Sequence, residues 1–194
     1  MTVNDLDLNE IYSYADYLKW QLEERIELIR GHIFKMSSPN FAHQAIVGEL
    51  HLKLGNFLAD KACRVFVAPF DVRLPRKSKD DKEIYTVLQP DLIVVCDKSK
   101  YDMKGCIGAP DIVVEVLSPS NNEKELKNKF EIYEESGVLE YWIVSPQDNT
   151  FFIYKLVDGH FVGSRFFVSG DTIYTTILPG FQLDIKELFE KSKF

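Results

Sequence analysis

Two acidic residues occupy positions in strand-like apolar runs where carboxylates are uncommon. Glu115 lies inside the run DIVVEVL, and Asp91 opens the earlier run DLIVV. A carboxylate among core residues is unfavourable unless a cation or a hydrogen-bond donor pairs with it. If the two runs pair as neighbouring strands, the two carboxylates can lie close together, and such hard oxygen ligands suit magnesium. The sequence therefore predicts a metal site held by Asp91 and Glu115, with Mg²⁺ as the ion and Mn²⁺ as its alternative.

A third carboxylate, Asp111, competes for the same site. Each apolar run opens with a Pro-Asp pair, Pro90-Asp91 and Pro110-Asp111. Alternation along a strand puts Asp111 on the same face as Glu115, but four residues of strand separate them by roughly 13 Å. That distance is too long for one metal ion, so we expect a capping or structural role for Asp111.

A metal site that cuts phosphodiesters needs more than two carboxylates. It also needs a group that positions water or offsets the charge that develops in the transition state. The usual donor is a lysine two residues after the glutamate, where this chain has Leu117. The helix predicted next has an apolar stripe made of Leu126, Phe130 and Tyr133. On a helical wheel Lys129 lies about 40° from Tyr133, whereas Lys124 and Lys127 point roughly the opposite way. We therefore predict that Lys129 is the partner of Glu115.

Other residues are candidates whose roles the sequence leaves open. His43 falls on the apolar stripe of a helix predicted over residues 40–59, so it is either an active-site neighbour or a core histidine, and we favour the latter. Glu27 lies in a hairpin predicted around Arg30-Gly31 and could add a ligand. The charged loop of residues 76–82 is typical of a solvated loop, although it could also contact phosphates.

The remaining elements follow from periodicity and turn residues. We predict a short helix over residues 9–20, one strand over residues 63–74, and a helix that Ser120 or Asn121 caps and Gly137 ends. A strand over residues 139–146, a hairpin that turns at Asp158-Gly159, a turn over residues 178–181 and a helix over residues 184–191 complete the chain. This order predicts an α/β or α+β layer protein.

Composition narrows the class of protein. The 194 residues, 45% of them hydrophobic, suffice for a single domain spanning 1–194. We expect no transmembrane helix and no signal peptide. Cys63, Cys96 and Cys106 lack metal-ligand spacing, which favours reduced thiols and a cytoplasmic location. The net charge of −7 argues against a strong non-specific grip on nucleic acid, without excluding a local basic patch.

Five segments together resemble a known family. They are QPDLIVV, PDIVVEVLSPS, ELKNKFEIY, GVLEYWIV and LPGF. They resemble the restriction endonuclease-like family called Uma, of the PD-(D/E)XK nuclease superfamily, over residues 14–189. The resemblance implies a restriction-endonuclease-like fold with a central mixed sheet flanked by helices. It also implies a metal pair at Asp91 and Glu115 and a lysine relocated to the following helix, at Lys129. The chain departs from the superfamily pattern at Leu117.

Two functions from different classes remain. The first is a magnesium-dependent endonuclease that hydrolyses DNA, with RNA as a substrate that the sequence does not exclude. The second is a non-catalytic interaction module that retains the nuclease fold, supported by the acidic balance and by Leu117 in the place of the lysine. Aromatic strands such as FFIY and FVGSRFFV favour a homodimer, because exposed strand edges pair readily.

Overall fold

The structure is a computed structural model that describes residues 1–119 and 123–191, except for the side chains of residues 123–125. Its helices are α1 (Tyr14–Tyr17), α2 (Phe41–Leu58), α3 (Glu123–Ser136) and α4 (Ile185–Glu190), and short 3-10 turns cover Val3–Asp5 and Lys98–Lys100. No helix in these ranges is both long enough and apolar enough to cross a membrane.

The strands follow the chain from the first hairpin to the closing helix. They are β1 (Ile26–Ile29), β2 (His32–Lys35), β3 (Arg64–Val67), β4 (Val72–Arg73), β5 (Val87–Leu88), β6 (Leu92–Val95) and β7 (Tyr101–Asp102). The second half contributes β8 (Gly105–Ile107), β9 (Ile112–Val116), β10 (Glu140–Ser145), β11 (Thr150–Val157), β12 (His160–Gly163), β13 (Thr172–Tyr174) and β14 (Gln182–Asp184).

A mixed sheet with a helix on each face forms the centre of the fold. Its order is β12-β11-β10-β9-β6-β3, and its strands are antiparallel except for the parallel pair β9 and β10. Val114 of β9 packs with Leu50 of α2 on one face, whereas Val113 packs with Ile132 and Tyr133 of α3 on the other. The predicted mixed α+β class, with a central mixed sheet flanked by helices, is confirmed.

A second sheet packs beside this one, in the order β2-β1-β5-β4-β8-β7. The prediction of one strand over residues 63–74 is wrong, because β3 belongs to the central sheet and β4 to the second sheet. Pro69 lies between them, and a proline cannot donate the N–H that a continuous strand needs. The link between β6 and β9 also contributes a small hairpin, β7–β8, to the second sheet.

The two predicted hairpin turns are confirmed. Arg30 and Gly31 have φ of 52° and 87°, and Asp158 and Gly159 have φ of 50° and 84°. Two consecutive residues with positive φ give a type I′ turn, whose twist matches that of paired strands. The turn between β1 and β2 thereby sets the register that turns Glu27 inward.

The ends of the helices agree in part with the prediction. The Asn40 side chain accepts a hydrogen bond from the backbone N–H of His43 at 2.9 Å, as an N-cap does. Gly137, with φ of 85°, ends α3. The first helix is shorter than predicted and covers Tyr14–Tyr17 alone. The predicted caps Ser120 and Asn121 lie outside the described residues.

The expectation of three reduced cysteines is wrong for two of them. Strands β3 and β6 pair antiparallel with Arg64 opposite Val95, which places Cys63 beside Cys96, and these two residues form a disulfide. Their separation of 33 residues in the chain gave no sign of this contact. Cys106 is free and buried, and burial raises the pKa of its thiol to about 12.

Candidate active site

Strands β6 and β9 bring Asp91 and Glu115 to the same end of the central sheet. The strands pair antiparallel with Leu92 opposite Val114, so Asp91, one residue before β6, comes opposite Glu115. The backbone N–H of Val116 donates to Asp91 Oδ2 at 2.8 Å, which holds the two strands together at this point. The predicted pairing of the two apolar runs is therefore confirmed.

Helix α3 supplies two donors to Glu115. Lys129 Nζ lies 2.9 Å from Glu115 Oε1, and the hydroxyl of Tyr133 donates to the same oxygen at 2.7 Å. Lys129 and Tyr133 are four residues apart and therefore share one face of the helix. Glu115 is 7% exposed and Lys129 is 4% exposed, so this contact is buried. The structure thus brings Lys129 to Glu115, whereas Lys127 is exposed to solvent.

Glu27 joins the site from the second sheet. Its Oε1 lies 3.2 Å from Lys129 Nζ, and the same oxygen accepts the backbone N–H of Gln89 at 2.8 Å. Glu27 is buried, so the lysine ammonium lies between two buried carboxylates, Glu27 and Glu115. In this arrangement Glu27 acts as a partner of the lysine.

His43 lies in the first turn of α2 and faces Asp91. Its Nε2 is 3.2 Å from Asp91 Oδ2, and the ring is buried. Its Nδ1 is also buried and has no hydrogen-bond partner among the described residues. A core histidine, the interpretation that the sequence favours, does not account for the contact with Asp91.

The charges of this cluster depend on one another. Burial raises the pKa of Glu115 to about 8, although the nearby Lys129 ammonium opposes the shift. Burial alone would lower the pKa of Lys129, but the carboxylates of Glu115 and Glu27 hold it well above its usual value. Burial also raises the pKa of the Tyr133 hydroxyl, which therefore stays a hydrogen-bond donor. The lysine is consequently a permanent cation in the site.

One oxygen of each central carboxylate stays available. Asp91 Oδ2 and Glu115 Oε1 accept the hydrogen bonds described above. Among the described residues, no donor contacts Asp91 Oδ1 or Glu115 Oε2. Both residues line a cleft of about 90 Å³, which has room for several waters.

The donor set suits a magnesium ion that keeps part of its water shell. No group of three or more His, Cys, Asp or Glu residues within the described ranges forms a closed metal cage. Mg²⁺ is commonly bound by one or two carboxylates, with waters and substrate phosphates as the other ligands. Asp91 and Glu115 fit that open type of site.

Three other positions that the sequence singles out lie away from the cleft. Asp111 Oδ2 accepts the backbone N–H of Cys96 at 2.7 Å, at the opposite end of the strand pair, in agreement with the expected capping role. In the loop of residues 76–82, Arg76 pairs with the exposed Glu135 of α3. Leu117 lines a separate pocket beside Ser145, so its side chain takes no part in the cleft.

Sequence reasoning missed two residues of the cleft wall, Arg25 and Gln89. A signal for both was present, because residues two apart in extended backbone share a face. Arg25 precedes Glu27 by two residues, and Gln89 precedes Asp91 by two. Tyr133 was assigned only to the apolar stripe, although its spacing of four residues from Lys129 also places it over Glu115.

Comparison with known proteins decides the family. The family model described as "Uma2: Putative restriction endonuclease" matches residues 14–186. The chain belongs to this family. The resemblance drawn from the sequence motifs is therefore confirmed, and the Uma2 match covers both sheets and every residue of the cleft.

Two proteins illustrate how far the Uma2 likeness extends. The "Uncharacterized protein slr1290" of Synechocystis sp. is 29% identical over 136 residues, which cover 69% of this chain and 68% of that protein. The crystal structure of a "putative nuclease belonging to DUF820" from Anabaena variabilis superposes with a TM-score of 0.75 at 20% identity, covering 94% of this chain and 99% of that one. The latter likeness shows the same fold.

Proposed function

We propose that this Uma2 protein is a metal-dependent endonuclease that hydrolyses phosphodiester bonds of DNA. One observation carries the proposal, which is the convergence of Asp91, Glu115 and Lys129 on a single cleft. A lysine buried between Glu27 and Glu115, next to the carboxylate of Asp91, is costly to maintain for stability alone. The membership in a family described as a restriction endonuclease supports the same reaction class.

Asp91 Oδ1 and Glu115 Oε2 would hold the ion, Mg²⁺ or in its place Mn²⁺. When bound, such an ion acts as a Lewis acid toward the phosphate and makes water a better nucleophile. His43 and the Val116 N–H hold Asp91 through its other oxygen, and Tyr133 does the same for Glu115. Both carboxylates are therefore oriented before any substrate arrives.

Lys129 supplies positive charge next to the reacting phosphate. Addition of water to phosphorus builds negative charge on the phosphate oxygens, and a preorganised cation in a water-poor site stabilises that charge. Glu27 and Glu115 keep the lysine protonated and hold its ammonium in place. Glu27 thus gives the ammonium a second partner besides Glu115 Oε1, whose other oxygen would face the ion.

A nicking assay on supercoiled plasmid with Mg²⁺ tests the proposal. We expect nicking by the wild type, loss of nicking in Glu115→Gln and Lys129→Gln, and retention in Lys127→Gln, an exposed lysine of the same helix. A parallel assay on single-stranded RNA distinguishes the two nucleic acids. Equal nicking by the wild type and Glu115→Ala would show that the activity comes from a contaminant and would end the proposal.

The predicted homodimer stays a prediction, with the outer strand β12 as its supporting feature. Strand β12 forms one edge of the central sheet. Val162, in this strand, is 55% exposed, and Phe166, which follows the strand, is 63% exposed. Light scattering should give the mass of two chains, and Val162→Glu should reduce it to that of one chain. A dimer that neither cleaves DNA nor gains thermal stability with Mg²⁺ would favour the non-catalytic module.

A further inference from the structure

Arg25 stands at the wall of the cleft, just before β1. It lines the same cleft as Asp91, Glu115 and Lys129. Its Nε and Nη2 both donate to the side-chain oxygen of Gln89, at 3.2 Å and 2.7 Å. The guanidinium is thus held in the site by a neutral amide, and within residues 1–119 and 123–191 it forms no ion pair.

Gln89 is itself held in one orientation. It is buried, and its Nε2 donates to the hydroxyl of Tyr17 at 3.1 Å and to Asp71 Oδ1 at 2.8 Å. These two bonds leave its oxygen facing Arg25. Its backbone N–H donates to Glu27, so the residue that positions Arg25 also contacts the partner of Lys129.

The charge of Arg25 is unusual in this chain. Four other arginines pair with carboxylates, namely Arg30, Arg73, Arg76 and Arg165. In the part of the chain that the structure describes, Arg25 and Arg64 have no carboxylate partner, and Arg64 donates to backbone oxygens away from the cleft. Lys129 is already paired with two carboxylates. Arg25 therefore brings an uncompensated positive charge to the cleft of a protein with net charge −7.

We infer that Arg25 binds a backbone phosphate of the nucleic acid and places the strand across the two carboxylates. A guanidinium is always charged, and its planar fork matches two phosphate oxygens. Because Gln89 takes Nε and one N–H of Nη2, the two N–H groups of Nη1 and the second N–H of Nη2 are left for a ligand. The inference rests on the proposed function, since the ligand is the DNA that the cleft is proposed to cut.

Anisotropy of a fluorescein-labelled DNA duplex at several KCl concentrations tests this role. Glu115→Gln serves as the background, so that no cleavage interferes. Adding Arg25→Gln should weaken binding about tenfold, because a charge-assisted contact is lost. It should also lower the slope of log K against log salt by about 0.9, the value for one duplex phosphate. Arg64→Gln, which also removes an arginine without a carboxylate partner, should change neither quantity.

The conservative variant separates phosphate binding from a structural role. Arg25→Lys keeps the charge, so the salt slope should return while part of the affinity stays lost. If Arg25 only supports Gln89, Arg25→Lys and Arg25→Gln should behave alike and both should melt earlier, and the inference is then overturned.

The outcomes for Arg25 and for cleavage are independent. If the wild type nicks plasmid but Arg25→Gln and Arg64→Gln bind the duplex alike, the Arg25 inference fails and the nuclease proposal stands. If nothing is nicked but the salt slope depends on Arg25, the phosphate contact stands and the nuclease proposal fails. A duplex that does not bind at all overturns the inference.

Discussion

Strands β6 and β9 are each preceded by a Pro-Asp dipeptide, but the two aspartates have different surroundings. Pro90-Asp91 precedes β6, Pro110-Asp111 precedes β9, and the strands run antiparallel. Asp91 therefore meets Glu115 at the cleft end, whereas Asp111 meets the backbone of Cys96 at the far end. The same dipeptide thus places an aspartate beside a second carboxylate at one end of the pair only, and that is the end for which we propose a chemical role.

The surroundings of each end reinforce the difference. At the far end the Cys63–Cys96 disulfide joins β3 to β6 beside Asp111. At the cleft end no covalent link is present among the described residues, and buried charges hold the strands to α3 and to the second sheet. The far end is joined covalently, whereas the cleft end holds the proposed reactive groups and their buried ion pairs, which leads to a graded set of predictions.

The largest difference should appear in catalysis. Glu115→Gln should lower the rate of plasmid nicking by roughly 10³-fold or more, because it removes a proposed metal ligand, and a bound ion contributes several kcal/mol of transition-state stabilisation. Asp111→Asn should leave the rate within about threefold of the wild type, because Asp111 lies at the other end of the strands. Initial rates at saturating Mg²⁺ measure both. A similar loss in the two variants would break the comparison between the ends.

The next effect is on stability at the cleft end. Lys129→Met leaves Glu27 and Glu115 buried without a cation, which should lower the free energy of unfolding by roughly 3–5 kcal/mol. Lys127→Met removes an exposed charge from the same helix and should stay within about 0.5 kcal/mol of the wild type. Urea unfolding followed by tryptophan fluorescence measures both variants. Equal stability of the two would mean that the buried ion pairs contribute little.

The disulfide should stabilise the far end by a similar or smaller amount. Closing a loop of 33 residues is worth about 3–4 kcal/mol in the chain-entropy model. Reduction should therefore lower the free energy of unfolding by this amount, while nicking by the folded protein continues. Thiol titration in denaturant supplies the control, with one reactive cysteine before reduction and all three afterwards. Three thiols in the unreduced protein would show that Cys63 and Cys96 are not joined.

The smallest effect should come from Asp111. Asp111→Ala removes the acceptor for the Cys96 N–H, and the loss should be about 1–2 kcal/mol because that group is only partly buried. Asp111→Asn keeps an acceptor oxygen and should lose less. Thermal unfolding of the two variants side by side measures the difference. Equal losses in the two variants would show that the carboxylate charge, and not its acceptor oxygen, is what matters.

The sequence predicted those parts of the site that depend on local periodicity. Alternation in two short runs identified Asp91 and Glu115, and helical spacing selected Lys129 over Lys127. These signals act within one element, where each residue's neighbours are set by a single repeat. Leu117 led to the prediction that a lysine comes from elsewhere, and the structure places Lys129 against Glu115.

The rest of the site depends on contacts between distant segments. Glu27 reaches Lys129 only because β1 pairs with β5, and Cys63 reaches Cys96 only because β3 pairs with β6. Periodicity within one element carries no information on which strands become neighbours. The break at Pro69, by contrast, followed from backbone chemistry and was recognisable in the sequence.

The segment Gln89-Pro90-Asp91 passes from the second sheet to the central sheet in three residues. Gln89 is tied to Glu27 and Asp71, whereas Asp91 is tied to β9 and α2. The two sheets thus meet beside the cleft that holds the proposed catalytic residues. The Tyr14 hydroxyl donates to Asp71, which in turn accepts from Gln89 in the cleft wall. A substitution at Tyr14 would consequently alter the position of Gln89, although Tyr14 does not line the cleft. Packing between the N-terminal segment and the second sheet therefore helps to fix the positions of the residues that line the cleft.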